Sequence, residues 1–303
     1  MKTVKPFAGV LAPVLTPFRQ DLVPDPERLV THCRWLLEQG ITGLAVFGTT
    51  SEANSLCAEE RIDLLDALIA GGIRSELLMP GTGCCALTDT VRLTAHAVRN
   101  GCGGVLVLPP FYYKPVSDDG LFAQVAEVIE RVGDARLRIY LYHIPPIAVV
   151  GYSLNLIERL IKEYPSVVIG LKDSSGDWNN TEAILKRFPG FDVFPGSEVF
   201  LLATLRAGGM GCITATANVN GAAVSDLYDR WRTPEADRLQ AEITTLRKTI
   251  ETYPMIAALK QILAHFRNDP AWTAVRPPLV GLTRADAQAL IGNLEQKKFA
   301  LAA

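Results

Sequence analysis

A lysine stands at the end of a continuous apolar run, where a charged side chain needs an explanation. Residues 167–171 are mostly β-branched or aliphatic and predict a strand that is buried on both faces, and Lys172 follows directly. Removal from water favours the neutral amine, and only a neutral amine attacks a ketone carbonyl. The position suits a Schiff-base lysine, but this strand alone favours the simpler interpretation that Lys172 pairs with Asp173 or another acid at the strand edge; the rest of the chain reverses that preference.

Hydroxyl and phenol groups follow two other predicted strands. Thr49 and Thr50 lie in a Gly-Thr-Thr-Ser-Glu turn whose successive backbone N–H groups suit an anion the size of a carboxylate, although an ordinary polar turn is equally compatible. Tyr140 and Tyr142 share one face of their strand, and a buried phenol needs a polar partner. A neighbouring hydroxyl and the lysine amine would supply that partner.

Strands and helices alternate along the first three quarters of the chain. Eight strands are predicted, each separated from the next by the length of one β-α repeat, and helical patterns lie between them. The strands are predicted at 9–15, 43–47, 76–80, 104–108, 137–142, 167–171, 192–194 and 211–214, and the helices at 27–39, 58–70, 89–99, 119–132, 154–163, 180–188 and 199–207. This order predicts an α/β fold, a (β/α)8 TIM barrel, with catalytic groups where strands end. A doubly wound open sheet is the alternative, but no G-x-G-x-x-G opens a helix after a strand.

The last quarter of the chain is predicted to contain helices and no strands. Helices are predicted at 236–253, 255–266 and 284–303, separated by prolines. We expect a barrel over residues 1–225 and, over residues 226–303, a helical extension that packs on it and does not form an independent domain.

Composition narrows the class of protein. The 303 residues carry a formal net charge of −2, with no basic block that would indicate nucleic-acid or membrane binding. No apolar run is long enough to span a bilayer, and residues 1–6 lack the apolar core of a signal peptide. The six cysteines lack C-x-x-C spacing, and no histidine–carboxylate pattern has metal-ligand spacing. We expect a cytoplasmic protein with reduced, mostly buried thiols, no metal and no membrane or nucleic-acid partner.

Six short motifs in order resemble the dihydrodipicolinate synthase / N-acetylneuraminate lyase family of Schiff-base lyases. They start at residues 11, 48, 110, 142, 170 and 211, and read Leu-Ala-Pro-Val-Leu-Thr-Pro-Phe, Gly-Thr-Thr-Ser-Glu, Pro-Phe-Tyr-Tyr, Tyr-His-Ile-Pro, Gly-Leu-Lys-Asp and Gly-Cys-Ile-Thr. The resemblance covers nearly the whole chain, including the helical extension. Each motif alone is weak, and six in the family's order are specific.

The resemblance implies a role for each matching residue. Lys172 would be the Schiff-base lysine, Tyr142 the phenol that shuttles protons, and Thr49 and Thr50 the residues that bind the substrate carboxylate and help relay protons. Tyr112 would reach into a neighbouring subunit's site, in a homotetramer built as a dimer of dimers. Substrate-contacting positions would include Gly196, Ser197, Glu198 and Ile213, although Ser197 and Glu198 could equally be a capping pair that opens the next helix.

One departure from the family pattern bears on the reaction. Dihydrodipicolinate synthases carry an arginine five residues beyond the catalytic tyrosine, and this chain has Ile147 there, which cannot hold a carboxylate. We therefore expect a carbon–carbon or carbon–oxygen lyase that acts on a small 2-oxo acid such as a 2-keto-3-deoxy sugar acid. It would be a pyruvate-releasing aldolase or a dehydratase that needs no cofactor. The alternatives are 4-hydroxy-tetrahydrodipicolinate synthase and a non-catalytic barrel that binds a 2-oxo acid.

Overall fold

Parallel strands form the centre of the fold. The computed structural model describes residues 7–302; residues 1–6, where no signal peptide is expected, and residue 303 lie outside that range. Within it, the structure assigns seven strands: β1 Gly9–Ala12, β2 Gly43–Leu44, β3 Val105–Val107, β4 Ile139–His143, β5 Val168–Asp173, β6 Asp192–Pro195 and β7 Gly211–Ile213. They pair in the orders β2-β1-β7 and β3-β4-β5-β6, and every pair is parallel.

The segment predicted as the third strand, residues 76–80, joins the two groups by hydrogen bonds without forming a regular strand. Met79 N–H donates to the Leu44 carbonyl at 2.9 Å, and Leu106 N–H donates to the Pro80 carbonyl at 2.9 Å. On the other side, Met210 N–H donates to the Val193 carbonyl at 3.1 Å and links β6 to β7. The ring of strands therefore closes, and the predicted (β/α)8 barrel is confirmed.

Helices follow the strands and then continue beyond the barrel. The α-helices are α1 Pro26–Glu38, α2 Ala58–Ala70, α3 Leu87–Arg99, α4 Asp118–Val132, α5 Pro145–Ala148, α6 Leu154–Glu163, α7 Trp178–Arg187, α8 Leu201–Arg206, α9 Ala217–Arg230, α10 Ala236–Ile250, α11 Met255–Phe266 and α12 Arg284–Gln296. The sequence pattern missed α5 and α9, and the helix expected over 284–303 ends at Gln296. Because α9 spans residue 225, the predicted boundary of the barrel falls inside a helix.

Alternation along the strands separates an inner from an outer core. Leu11, Tyr140, Tyr142 and Phe194 point into the barrel, whereas their strand neighbours pack outward against the helices. Gly170 makes room for Tyr140, because a Cβ there would stand 2.4 Å from the Tyr140 ring. The interior is thus filled by large side chains below its mouth, and both tyrosines face inward as predicted.

A second apolar cluster joins the C-terminal helices to the barrel. Leu15, just beyond β1, and Val219 of α9 pack with Ile250, Leu259 and Trp272. In the described part of the chain, no helix is long and apolar enough to cross a membrane.

The cysteines differ partly from the expectation. All six are free, but only Cys33 and Cys212 are buried, while Cys57 and Cys85 are exposed. Cys57 caps the N-terminus of α2, where its sulfur accepts from the Glu60 N–H at 3.5 Å. The expectation that the thiols would be mostly buried was wrong, because a polar role at a helix end holds Cys57 at the surface.

His32 of α1 ties the first helix to the C-terminal region. Its Nε2 donates to the Asn218 amide oxygen at 3.0 Å, and its Nδ1 accepts from Arg267 at 3.1 Å. The ring stacks on Trp35 and meets Trp272 edge-on. Burial, assisted by the Arg267 charge, lowers the pKa of His32 to about 3.

This shift predicts a specific loss of stability in acid. Below about pH 6.5 the unfolded chain protonates His32 while the folded chain does not, so falling pH favours unfolding, by about 2 kcal/mol at pH 5. His32→Gln, whose amide can replace both hydrogen bonds, removes this contribution. The gap in unfolding free energy, taken as the variant minus wild type and measured by urea denaturation, should therefore rise by about 2 kcal/mol between pH 7.5 and pH 5. A gap independent of pH would contradict this assignment.

Candidate active site

The amine of Lys172 lies inside the mouth of the barrel. The residue is only 4% exposed, and its Nζ lies 4.4 Å from the centroid of the Tyr142 ring. Lys172 and Tyr142 are register partners on neighbouring strands, so the pairing of β4 with β5 fixes their approach. Among residues 7–302, no carboxylate forms an ion pair with this amine. A cation–π contact is the interaction that the amine retains.

The neighbouring carboxylate is directed elsewhere. Asp173 accepts from Ser175 N–H at 2.9 Å, from the Asn180 side chain at 3.0 Å and from the Thr181 hydroxyl at 2.6 Å. These bonds tie the end of β5 to the start of α7. The interpretation in which Lys172 pairs with Asp173 is therefore wrong, and Asp173 instead makes the strand end rigid.

The Tyr142 phenol reaches the turn after β2. Its OH shares a hydrogen bond of 3.1 Å with the Thr49 hydroxyl. In that turn, the Ser51, Glu52 and Ala53 N–H groups donate to backbone carbonyls, whereas those of Thr49 and Thr50 have no backbone acceptor among residues 7–302. Two successive free N–H groups beside two hydroxyls can hold a carboxylate.

This turn is anchored from two directions. On one side, Ser51 Oγ donates to the Val14 carbonyl at 2.5 Å, so the serine ties the turn to the end of β1. On the other, Glu52, in the left-handed region with φ 57°, forms a fully buried ion pair with Lys260 of α11. Its second oxygen accepts from Arg276 N–H at 2.9 Å. The shape of the anion site thus depends on α11 as well as on the barrel.

A cavity of about 500 Å³ opens in front of Lys172. The barrel contributes Thr49, Thr50, Tyr142, Gly196, Ser197 and Ile213 to its wall, which are all predicted site residues. Gly196 has no room for a side chain, since a Cβ there would stand 2.0 Å from the Ser174 hydroxyl. The C-terminal region closes the other side with Arg247, residues 254–257 and residues 278–280.

Glu198 lies behind this wall and not on it. It is 0% exposed, and its carboxylate accepts from the hydroxyls of Thr214 and Thr216 and, at 3.3 Å, from Arg247 Nη1. Both oxygens are therefore occupied within the protein. The geometry does not bring Glu198 to the cavity with the other predicted substrate contacts, and Arg247 stands in front of it.

Three further residues near the mouth have different positions. Tyr112 is 74% exposed in the loop after β3 and does not line the cavity of its own chain. Ile147 lines the cavity mouth and is 64% exposed. His143 points away from Tyr142, accepts from Tyr152 N–H at 3.0 Å, and has its pKa lowered by burial. It is a structural residue, as alternation along β4 predicts.

Sequence patterns hardly indicate the C-terminal wall of the cavity. Arg247 and Glu251 have the spacing of an ordinary surface ion pair on a helix. Lys260 lies in an apolar helix, and only its position among buried neighbours signals a partner. No local pattern indicates that residues 278–280 return to the mouth of the barrel.

Comparisons with known proteins give one family. The model described as the dihydrodipicolinate synthetase family matches residues 6–297. An uncharacterized DapA-like lyase of Chloroflexus aurantiacus is 33% identical over 291 residues, which are 95% of this chain and 96% of that protein. The crystal structure of dihydrodipicolinate synthase from Agrobacterium tumefaciens is 32% identical with a TM-score of 0.89, covering 96% of this chain and 99% of that one.

A third comparison includes a bound ligand. A prophage protein of E. coli K12, belonging to the dihydrodipicolinic acid synthase family, was solved in complex with pyruvate. It is 26% identical to this chain with a TM-score of 0.88, and the match covers 96% of this chain and 99% of that one.

The buried Glu52–Lys260 pair predicts a large dependence of stability on Lys260. Lys260→Met leaves Glu52 buried without its cation and should lower the unfolding free energy by about 3–5 kcal/mol. The double variant Glu52→Gln/Lys260→Met should recover much of that loss, because no isolated charge remains. Lys186→Met, which breaks the exposed pair with Glu182, is the control and should change stability by under about 0.5 kcal/mol. Equal denaturation midpoints for the two lysine variants would contradict this account.

Proposed function

Because the chain belongs to the dihydrodipicolinate synthetase family, we propose that it is a class I lyase that forms a Schiff base with a 2-oxo acid through Lys172. The observation that carries this proposal is a buried amine with no carboxylate partner in the described chain, beside a phenol and a free anion site. The pyruvate complex of a relative supports the choice of a 2-oxo acid.

Imine formation follows from the positions of three groups. The substrate carboxylate accepts from the N–H groups of Thr49 and Thr50, which orients C2 towards Lys172. The amine adds to the C2 ketone, and the carbinolamine loses water to give an iminium. The Tyr142 phenol, whose ring lies against the amine and whose OH bonds the Thr49 hydroxyl, carries protons during these steps.

The iminium then serves as an electron sink for one of two reactions. In an aldolase, Tyr142 removes the proton of the C4 hydroxyl, and the C3–C4 bond breaks with release of an aldehyde. The electrons of the broken C3–C4 bond form a pyruvate enamine. Protonation of this enamine at C3, followed by hydrolysis, releases pyruvate and regenerates Lys172. In a dehydratase, loss of the C3 proton gives an enamine that expels the C4 hydroxyl as water, and hydrolysis of the unsaturated iminium then releases the product and regenerates Lys172. Neither route needs a metal or an organic cofactor.

The apolar outer wall bears on the substrate. Ile147 offers no donor to a second carboxylate at the cavity mouth, so we propose a 2-keto-3-deoxy sugar acid as the substrate class. The second candidate is 4-hydroxy-tetrahydrodipicolinate synthase, favoured by the 32% identity to the Agrobacterium tumefaciens enzyme. Condensation of pyruvate with aspartate semialdehyde, followed in a coupled reductase assay, separates the two. A non-catalytic barrel would bind pyruvate and turn over neither substrate.

The exposed tyrosines support a proposal about assembly. Tyr112 and Tyr113 meet edge-to-face at 5.3 Å and project from the loop after β3. Two large aromatic rings in water favour burial against a partner. We propose that Tyr112 completes the site of a neighbouring subunit in a cytoplasmic homotetramer built as a dimer of dimers.

Borohydride reduction in the presence of pyruvate tests the proposal. We expect a stable adduct on the peptide that contains Lys172, identified by mass spectrometry after digestion. Lys172→Arg should form no adduct and show no turnover, because arginine remains protonated. A folded wild-type protein without an adduct at Lys172 would refute the proposed function.

Tyr142→Phe separates proton transfer from imine formation. The variant keeps the ring beside Lys172 and loses the OH that bonds Thr49. We expect kcat to fall about 100- to 10,000-fold, the usual contribution of a general acid–base group, while the pyruvate adduct still forms at least in part. If kcat and adduct formation were both unchanged, the proton shuttle would have to be a different residue.

A further inference from the structure

Arg247 of α10 is a cavity-lining cation with no counterpart in the predicted site. Its side chain is 15% exposed and is held by three bonds from two of its nitrogens. Nη1 donates to Glu198 at 3.3 Å and to the Thr214 hydroxyl at 3.4 Å, and Nε donates to Glu251 at 3.1 Å. Nη2 makes no hydrogen bond within residues 7–302, so it retains two N–H donors.

The support behind Arg247 is itself rigid. Glu198 is locked by the hydroxyls of Thr214 and Thr216, and its peptide carbonyl accepts from the Gln240 side chain at 3.0 Å. A guanidinium held in this way loses little further freedom when a ligand binds. Its free donors therefore form a preorganised contact site.

The charge of Arg247 is already compensated. Glu198 and Glu251 both contact it, and Lys248 pairs with the far oxygen of Glu251 at 2.5 Å, so the four formal charges cancel. A substrate carboxylate at Nη2 would add an anion close to the buried Glu198. An uncharged oxygen would accept the same hydrogen bonds without that repulsion.

No further lining residue of the described chain offers a cation to a second carboxylate, although Ser174 and Ser197 offer hydroxyls. Lys172 and Arg247 are the two cations on the cavity wall, and Lys172 is committed to C2. The remaining outer wall includes Ile147, Leu279 and Val280, which offer no donors. The described wall therefore combines the turn at Thr49 and Thr50 with one further cation, Arg247, whose charge is compensated within the protein.

We propose that Arg247 determines specificity for the distal end of the substrate, with its Nη2 donating to a hydroxyl on the chain beyond C4. This inference rests on the proposed function of Lys172 and narrows the substrate to acids with an uncharged, hydroxylated tail. Glu198 and Glu251 are positioning residues that act through the guanidinium.

Three substrates test the proposal with wild type and Arg247→Met. They are 2-keto-3-deoxygluconate, with a hydroxylated tail, 2-keto-3-deoxyglucarate, with a terminal carboxylate, and 4-hydroxy-2-oxopentanoate, with no oxygen beyond C4. Loss of each 2-oxo acid is followed directly, so that cleavage and dehydration both count. Wild type should prefer the gluconate-derived acid. The variant should lose about 10- to 100-fold more kcat/KM on it than on the pentanoate, the usual effect of one bond to a charged donor.

Two further variants control for misfolding caused by an unpaired buried charge and for the loss of an arginine elsewhere on α10. Glu198→Gln/Arg247→Met removes both buried charges and should fold while keeping the same selective loss. Arg238→Met breaks an exposed pair with Glu242 on the same helix and should leave the substrate preference as in wild type.

The possible failures are distinguishable. Absence of the pyruvate adduct at Lys172 refutes the proposed function itself. With the adduct present, equal losses on the three substrates, a wild-type preference for the dicarboxylic acid, or no turnover of the hydroxylated acid each overturn the role of Arg247.

Discussion

The site depends on keeping the Lys172 amine buried without a carboxylate partner. A carboxylate in contact with this amine would occupy the space that a substrate carbonyl needs, so the nearby acid has to be held elsewhere. Asp173 is adjacent in sequence and is diverted by one hydrogen bond from Ser175 N–H and by two from side chains at the start of α7. Strand pairing then sets the Tyr142 ring against the amine. The same register that closes the barrel thus brings Lys172 and Tyr142 together.

The C-terminal helices are part of this arrangement. Lys260 of α11 neutralises Glu52 and so fixes the turn that presents the Thr49 and Thr50 N–H groups. Arg247 of α10 brings a donor to the opposite wall. A barrel without these helices would retain Lys172 and Tyr142 but would lose both ends of the substrate site. These helices share an apolar cluster with Leu15, just beyond β1.

The sequence was sufficient for those parts of the site that follow from strand periodicity. An apolar run that ends in Lys172, and alternation that turns Tyr140 and Tyr142 inward, both depend on local geometry. The segment around Met79 lay where a strand was predicted, yet it makes ladder bonds without regular strand geometry.

Other features depend on contacts between distant parts of the chain. Glu198 was expected at the substrate, but Thr214, Thr216 and Arg247 converge on it from two other elements and hold it behind the wall. Arg247 has the spacing of a surface ion pair, and only the packing of α10 on the barrel shows that it lines the cavity. Such contacts are not encoded in the spacing of residues along one segment.

We propose that Lys172 bonds covalently to a 2-oxo acid whose carboxylate lies at the turn after β2. A crystal structure of the protein soaked with pyruvate would show whether this bond forms. We expect continuous density from Lys172 Nζ to C2 of the ligand, with the carboxylate accepting from the N–H groups of Thr49 and Thr50. Pyruvate bound elsewhere, or bound in the cavity without a bond to Nζ, would contradict it.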